Sequence, residues 1–413
     1  MIELRDYQID IANKAAKTLK ELKISYLAME VRTGKTLTAL KAADIYGAKN
    51  VLFVTKLKAI KSIQSDYDLL SPAFEITLIN FESVHKATGA FDLVIVDEAH
   101  SLGAFPKPSK RTIELKQIAK GLPIIFLSGT PTPESYSQMY HQLFVSSFSP
   151  WRQYPSFYKW SFDGFVDIKE KYINGFKLRD YSSANEIRIK GDLSPFLLTF
   201  SQQQANFNQT IKETTLTVKM NDIVSSTIKQ LSKDKVAILN GQTVLADTPA
   251  KLLGKLHQIS TGTCIDEEGH YHIIDRSKAE FIRDHFKGQH IAVFYVYKSE
   301  FEMLKEVFPN WTASPEEFQE YPDKTFLGCF RSAREGTRLD TADALVFMNL
   351  EYSFLSYEQA KNRLQSKERL TPARLYFVFS DCGIERFIYQ AVCNKKDFTL
   401  KYFYHGKDTA KAA

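Results

Sequence analysis

Short apolar runs and helix-spaced apolar positions alternate along the first 150 residues of the chain. Ile9, Ala12, Ala16 and Leu19 recur at helical spacing and predict an opening amphipathic helix. Apolar runs follow at Tyr26–Met29, Val51–Val54, Ile76–Ile79, Leu93–Val96 and Ile124–Leu127, each bounded by polar residues or glycine. Strands buried on both faces have this look. Their alternation with helix-sized gaps predicts a parallel sheet covered by helices on both sides.

The pattern breaks from about Pro150 to Thr210 into an aromatic, basic, turn-rich stretch. Residues 211–260 read mostly as helix, with Ile223, Ile228, Leu231, Leu252, Leu253, Leu256 and Ile259 as its apolar positions. Alternation then resumes, with strands expected at Ile291–Tyr295, Ala344–Phe347 and Leu375–Phe379. The expected organisation is α/β: a first lobe over 1–150, a mostly helical and aromatic insertion over 151–245, and a second α/β lobe over 246–404. A polar, frayed tail is expected over 405–413. No short-period repeat occurs, although the two α/β halves can still be structural duplicates.

Composition narrows the class only a little. A length of 413 residues suits roughly two or three domains. At 44% hydrophobic and 25% charged, the chain reads as a soluble globular protein. Cys264, Cys329, Cys382 and Cys393 lie far apart and make no metal-ligand spacing, so a reducing, cytoplasmic setting is expected. The opening residues lack a secretory pattern, and no run of about 18 apolar residues predicts a membrane span. The net charge of +6 is a mild excess that is compatible with a polyanionic partner.

The first chemical signal follows the first strand, where Glu30-Val31-Arg32-Thr33-Gly34-Lys35-Thr36 runs into an apolar helix. In a strand–loop–helix setting, backbone N–H groups of the turn and helix start face phosphates. Arg32, Thr33 and Gly34 would line that loop. The Lys35 ammonium would reach the β- and γ-phosphates of ATP, and the Thr36 hydroxyl would ligate Mg²⁺. The full phosphate-loop pattern has glycine five residues before Gly34, where this chain has Met29.

A second signal, Asp97-Glu98-Ala99-His100, follows the run Leu93–Val96. A carboxylate at the end of a buried parallel strand lies at the crevice where such sheets bind ligands. Asp97 would hold the metal, and Glu98 would orient and deprotonate the attacking water.

With these motifs in order, the chain resembles the superfamily 2 helicases and translocases. Within them it resembles the Swi/Snf-like DNA-dependent ATPases with a DEAH-box acidic motif, in their small phage and bacterial versions. The resemblance implies two tandem RecA-like lobes and nearly covers the chain. Leu4-Arg5-Asp6-Tyr7-Gln8 is similar to the adenine-reading motif, which implies that Gln8 bonds adenine. Ser128-Gly129-Thr130-Pro131 is similar to the motif that couples hydrolysis to lobe movement, through Ser128 and Thr130. Thr55, Lys56 and Lys58, with Asn80 of Asn80-Phe81-Glu82-Ser83, stand where the family grips a phosphate backbone; taken alone, the lysines read better as solvated helix-start residues.

In the second half, Arg331–Leu339 resembles the glycine-rich motif, which makes Arg331 and Ser332 nucleic-acid candidates and Gly336 a nucleotide candidate. Gln359-Ala360-Lys361-Asn362-Arg363 resembles the last motif, implying that Gln359 contacts nucleotide and that Arg363 is the arginine finger. A second finger is expected three residues later, where this chain has Ser366, with Lys367 or Arg369 as nearby replacements. Tyr297 and Lys298 are further backbone-contact candidates, and Tyr295 is either another or a core residue. The rings of Trp151–Trp160 either stack on bases while Arg152 and Lys159 contact phosphates or, as the favoured reading, form a hydrophobic brace that joins the lobes, with the cations solvated.

The resulting expectation is an ATP hydrolase that moves along or remodels DNA as a monomer, with ATP and Mg²⁺ as cofactors and no membrane partner. Unwinding, branch migration and double-strand translocation stay open. An RNA-dependent ATPase and a non-catalytic nucleic-acid-binding protein are the alternatives.

Overall fold

The computed structural model describes residues 3–173, 176–205, 211–239, 241–333, 339–364 and 372–394. The chain divides into two compact units, Met1–Phe207 and Asn208–Ala413.

The first unit opens with helix α1 (Asp6–Leu22), which buries Ile11, Ala12, Ala15, Ala16 and Leu19. Ile9 was expected on that face but is 40% exposed, because the buried stripe runs one side of it at 100° per residue. Strands β1 (Ile24–Met29), β2 (Asn50–Thr55), β3 (Glu75–Asn80), β4 (Leu93–Val96) and β5 (Ile124–Leu127) match the apolar runs closely. Helix α2 (Lys35–Tyr46) follows β1. A hairpin of β6 (Lys169–Ile173) and β7 (Phe176–Asp180) comes next, then β8 (Leu197–Phe200).

The first sheet is six-stranded in the order β3-β2-β4-β5-β1-β8, and every pairing is parallel. Both faces are buried. Along β2, Val51 and Phe53 join the core beneath α1 and α2, while Leu52 and Val54 join the opposite one. That opposite core takes in the aromatic block. Trp160 stacks on Phe165 at 4.8 Å and meets Trp151 at 5.1 Å, all three fully or nearly fully buried. These rings pack inside the first unit and have no face left for a base, whereas Arg152 and Lys159 are exposed.

The second unit begins with β9 (Lys212–Val218), followed by hairpins β10 (Val236–Leu239) with β11 (Gln242–Leu245) and β12 (Thr263–Ile265) with β13 (Tyr271–Ile273). Its sheet adds β14 (Ile291–Tyr295), β15 (Trp311–Thr312), β16 (Thr325–Cys329), β17 (Ala344–Phe347) and β18 (Arg374–Ser380). The order is β15-β16-β14-β17-β18-β9, again parallel throughout.

Residues 151–245 therefore divide between the two units, with β8 completing one sheet and β9 the other. The stretch 211–260 holds helices at Asp222–Asp234 and Pro249–Ser260, but also β9 and a hairpin. As an edge strand, β9 is half exposed and mixes Lys212, Glu213 and threonines with its apolar positions, so no apolar run marks it. The expected tail, 405–413, lies outside the described residues.

Without their extra edge strands, β8 and β15, the sheets read β3-β2-β4-β5-β1 and β16-β14-β17-β18-β9. In chain order both are third, second, fourth, fifth, first, so the two units share one five-strand topology. Among the described residues no helix is long and apolar enough to cross a membrane. The four cysteines are free thiols.

Candidate active site

Parallel strands deliver all their following loops to one edge of a sheet, where α/β proteins bind ligands. In the first unit that edge carries the loop after β1, the carboxylates after β4 and the Ser128–Pro131 segment after β5. Strand β5 lies between the other two.

Chain entry into the loop explains the departure at Met29. It is the last residue of β1 and fully buried in the core, so the turn begins only after it. Arg32 (φ 62°) and Gly34 (φ 81°) then reverse the chain in left-handed conformations, and α2 starts at Lys35. No side chain caps that helix start, and its first turn holds no acidic residue. Its N–H groups suit an anion. Thr33 is buried, its hydroxyl donating to the Glu30 carbonyl at 2.7 Å.

Glycine is required at position 34 for a second reason. A Cβ there would stand 2.1 Å from Gln8 Nε2. Gln8 is buried, accepts from the Arg5 N–H at 2.9 Å and donates to the Gly34 carbonyl at 3.3 Å. Tyr7 donates its hydroxyl to the Thr33 carbonyl at 3.1 Å. The start of α1 is thus bonded to the loop.

Asp97 is buried, and the Thr55 hydroxyl donates to its Oδ2 at 3.0 Å. Burial, reinforced by Glu98, pushes its carboxyl up to about 6, while the nearby Lys35 ammonium and the Thr55 bond pull the other way. Glu98 holds a left-handed φ of 48°, a conformation unusual for a side-chain-bearing residue and typical of functional sites. His100 Nδ1 lies 3.2 Å from Glu98 Oε2 and 3.0 Å from Ser128 Oγ, which accepts the Thr130 N–H at 3.2 Å. Lys35 Nζ would lie 3.2 Å from a Cβ at Gly129, so the glycine leaves the ammonium its space.

Two supporting residues escaped the sequence. Tyr26, in the middle of β1, donates to Gln142 Oε1 at 2.6 Å, and Gln142 Nε2 donates to the Pro131 carbonyl at 2.8 Å. Together they brace the Ser128–Pro131 loop from below. A tyrosine within the apolar run Tyr26–Met29 was the available clue, since the hydroxyl of a buried tyrosine usually finds a hydrogen-bond partner.

Among the described residues no cluster of three or more His, Cys, Asp and Glu suits a metal. Mg²⁺ needs none, because it takes one or two protein oxygens together with phosphate and water. Asp97 and Thr36, a carboxylate and a hydroxyl at the helix start, fit that donor set.

The other candidates fall on strand ends farther along each edge. Thr55 and Asn80 are register partners at the ends of β2 and β3. Thr55 is fully buried against Asp97, which ties it to the carboxylate rather than to an outer surface. Lys58 is exposed, Lys56 half-buried, and Asn80 donates to Glu82 at 3.2 Å.

In the second unit Tyr297 and Lys298 follow β14, and Arg331 and Ser332 follow β16, the counterparts of β2 and β3. Lys298 is exposed, whereas the Tyr297 hydroxyl is 2.9 Å from buried His257. Arg331 donates to Glu351 at 2.7 Å, and the Ser332 hydroxyl donates to the Cys329 carbonyl at 3.2 Å. Tyr295 stacks on Phe301 at 5.1 Å and is half-buried. Gln359 is buried in helix Phe354–Lys361, and Arg363 sits in the turn Asn362–Leu364 just after it. Gly336, Ser366, Lys367 and Arg369 lie outside the described residues.

Neither a protein-family model nor a curated protein sequence matches the chain. The residues and their geometry are therefore what a functional reading rests on.

Proposed function

We propose that the protein is an ATP-dependent DNA motor, a helicase or translocase of the Swi/Snf-like superfamily 2 type. In this reading the two units are its RecA-like lobes. One observation carries it: the Glu30–Thr36 loop, Asp97–Glu98 and Ser128–Thr130 follow three neighbouring strands of one parallel sheet. Separate appearances in sequence would mean little, whereas convergence at one edge supports a single reaction centre.

The roles follow from chemistry. The helix start and Lys35 hold the phosphates, with Arg32, Thr33 and Gly34 shaping the loop and Gln8 reading the base. Asp97 and Thr36 would hold Mg²⁺, which when bound shields the phosphate charge. Glu98 orients a water and takes its proton as the water oxygen attacks the γ-phosphorus and the bond to the β-phosphate oxygen breaks. ADP leaves with the bonding electrons. His100, bonded to Glu98 and Ser128, links the base to the Ser128–Thr130 loop. The resemblance further implies transition-state charge from Arg363 and a nucleotide contact from Gln359.

Duplicated topology supports the motor reading. The nucleic-acid candidates follow equivalent strands in both sheets, β2 and β3 in one, β14 and β16 in the other. Contacts of this kind grip the backbone without reading bases.

The test is ATP turnover by the full chain with no polymer, duplex DNA, single-stranded DNA and RNA, alongside Lys35→Ala. Stimulation by DNA that Lys35→Ala abolishes is expected. Stimulation by RNA alone would make it an RNA motor, and background turnover with every polymer would leave a non-catalytic binding protein. A strand-displacement assay separates unwinding from translocation.

A further inference from the structure

The turn that follows β8 is bonded directly to the phosphate loop. The Glu30 N–H donates to the Phe200 carbonyl at 2.9 Å. The Gln202 N–H donates to Glu30 Oε2 at 2.7 Å, and the Gln202 side-chain amide donates to the Val31 carbonyl at 2.9 Å. Tyr7, already bonded to Thr33, stacks on the Phe200 ring at 4.5 Å. The turn also closes on itself. Ser201 N–H donates to Gln204 Oε1 at 2.8 Å, and Gln204 N–H donates to Ser201 Oγ at 3.2 Å.

Its place in the chain gives this turn a role beyond packing. The first unit ends at Phe207, and the second sheet takes up the chain at Lys212. A shift of the phosphate loop must break these bonds or carry the turn with it. Phe200, Ser201 and Gln204 also border a cavity of about 400 Å³ shared with Glu30 and Gly129, which leaves the turn room to follow. Val31 immediately precedes Arg32, whose left-handed backbone is disfavoured for a residue with a side chain. The bond to the Val31 carbonyl therefore bears on the most constrained part of the loop.

Resting on the nucleotide reading above, we propose that Glu30 and Gln202 form a tether linking nucleotide occupancy of the phosphate loop to the Ser201–Gln204 turn after β8. Both are positioning residues, acting through the loop backbone rather than on the reacting atoms.

Hydrogen exchange on the full chain, with and without ATP and Mg²⁺, tests the tether. ATP should slow exchange at the amides of residues 31–36 and, with them, at Gln202 and Gln204, by about tenfold. Glu30→Ala should abolish the slowing at Gln202 and Gln204, and Glu30→Gln, which keeps a carbonyl acceptor, should restore most of it. Gln202→Ala should weaken ATP binding about fivefold. The Tm of that variant without nucleotide should stay within about 2 °C of wild type. Slowing at 31–36 without slowing at Gln202 and Gln204 overturns the tether, and the wild-type chain alone can show it. Unchanged ATP affinity in Gln202→Ala overturns it too. ATP that slows neither region removes the nucleotide reading and the tether with it.

Discussion

The two sheets share a five-strand order, yet the loops at their equivalent edges are built differently. In the first unit the strand ends carry Gly34-Lys35-Thr36, Asp97-Glu98 and Ser128–Thr130. Backbone strain sits at Arg32 and Glu98, and the buried Asp97 carboxyl is only partly compensated. In the second unit the equivalent region is closed by its own bonds. Glu300, fully buried, accepts from the Val296 and Tyr297 N–H groups, the Thr261 hydroxyl and the Asn349 amide. Lys278 pairs with Glu385 at 2.6 Å, both buried, and Glu385 also accepts from Ser380. One topology thus carries two kinds of edge: one that leaves charge buried and backbone strained, and one whose buried carboxylates are held by several internal bonds.

On that contrast, the largest single-site stability loss belongs to the second unit. Lys278→Ala leaves a carboxylate buried without its partner and should cost about 3–5 kcal/mol in denaturant unfolding. Replacing both partners, Lys278→Met with Glu385→Leu, should recover most of it. A loss below about 1 kcal/mol from the single change would break the comparison.

Glu98→Gln probes the first edge, with the opposite signature. ATP turnover should fall about 10²- to 10³-fold, corresponding to roughly 3–4 kcal/mol of transition-state stabilisation, while the unfolding midpoint barely moves. Equal turnover would remove Glu98 from the chemistry.

Acid sharpens the comparison next. Burial holds the His257 imidazole down to about 3 from its ordinary 6.5, so the native state keeps it neutral. Its contribution is complete above pH 6.5 and is lost as pH falls toward 3, amounting to about 3 kcal/mol by pH 4. In the first unit His141, held down to about 4 by burial, acts with the same sign over 6.5 to 4. Unfolding of His257→Gln across pH 7 to 4 should be flatter than wild type. An identical slope would place the acid sensitivity elsewhere.

The smallest expected effect concerns Thr55, which faces both readings of the first edge. Thr55→Val removes the hydroxyl bonded to Asp97 and should weaken ATP-Mg²⁺ binding by about 1–2 kcal/mol. Loss of DNA binding with intact ATP binding would return Thr55 to the backbone-contact role its position suggested.

Much of this was legible without coordinates. Five apolar runs of the first unit and three of the second became strands almost residue for residue, even the edge strand β3, whereas the interior strand β16, with Gly328 breaking its short apolar run, carried no legible signal. Edge strands β8 and β9 were not legible. A strand with one neighbour and an exposed face tolerates Lys212 and Glu213, and its pattern is then indistinguishable from a loop or a polar helix. The same limit applied to Thr55, whose hydroxyl could face a phosphate or a carboxylate until β2 and β4 were seen side by side.

What the sequence determined by itself was the list of chemical groups and their local setting. Gly34-Lys35-Thr36 follows a strand and opens a helix, and Asp97-Glu98 ends an apolar run, because apolar periodicity and turn residues are local properties of the chain. Tertiary structure alone decided which groups meet. Parallel pairing set β5 between β1 and β4, brought His100 onto Ser128, braced Pro131 through Tyr26 and Gln142, and bonded Gln202 to a loop far upstream. Strand order carries that information, and no stretch of sequence contains it, because pairing partners are chosen by the packing of the whole sheet.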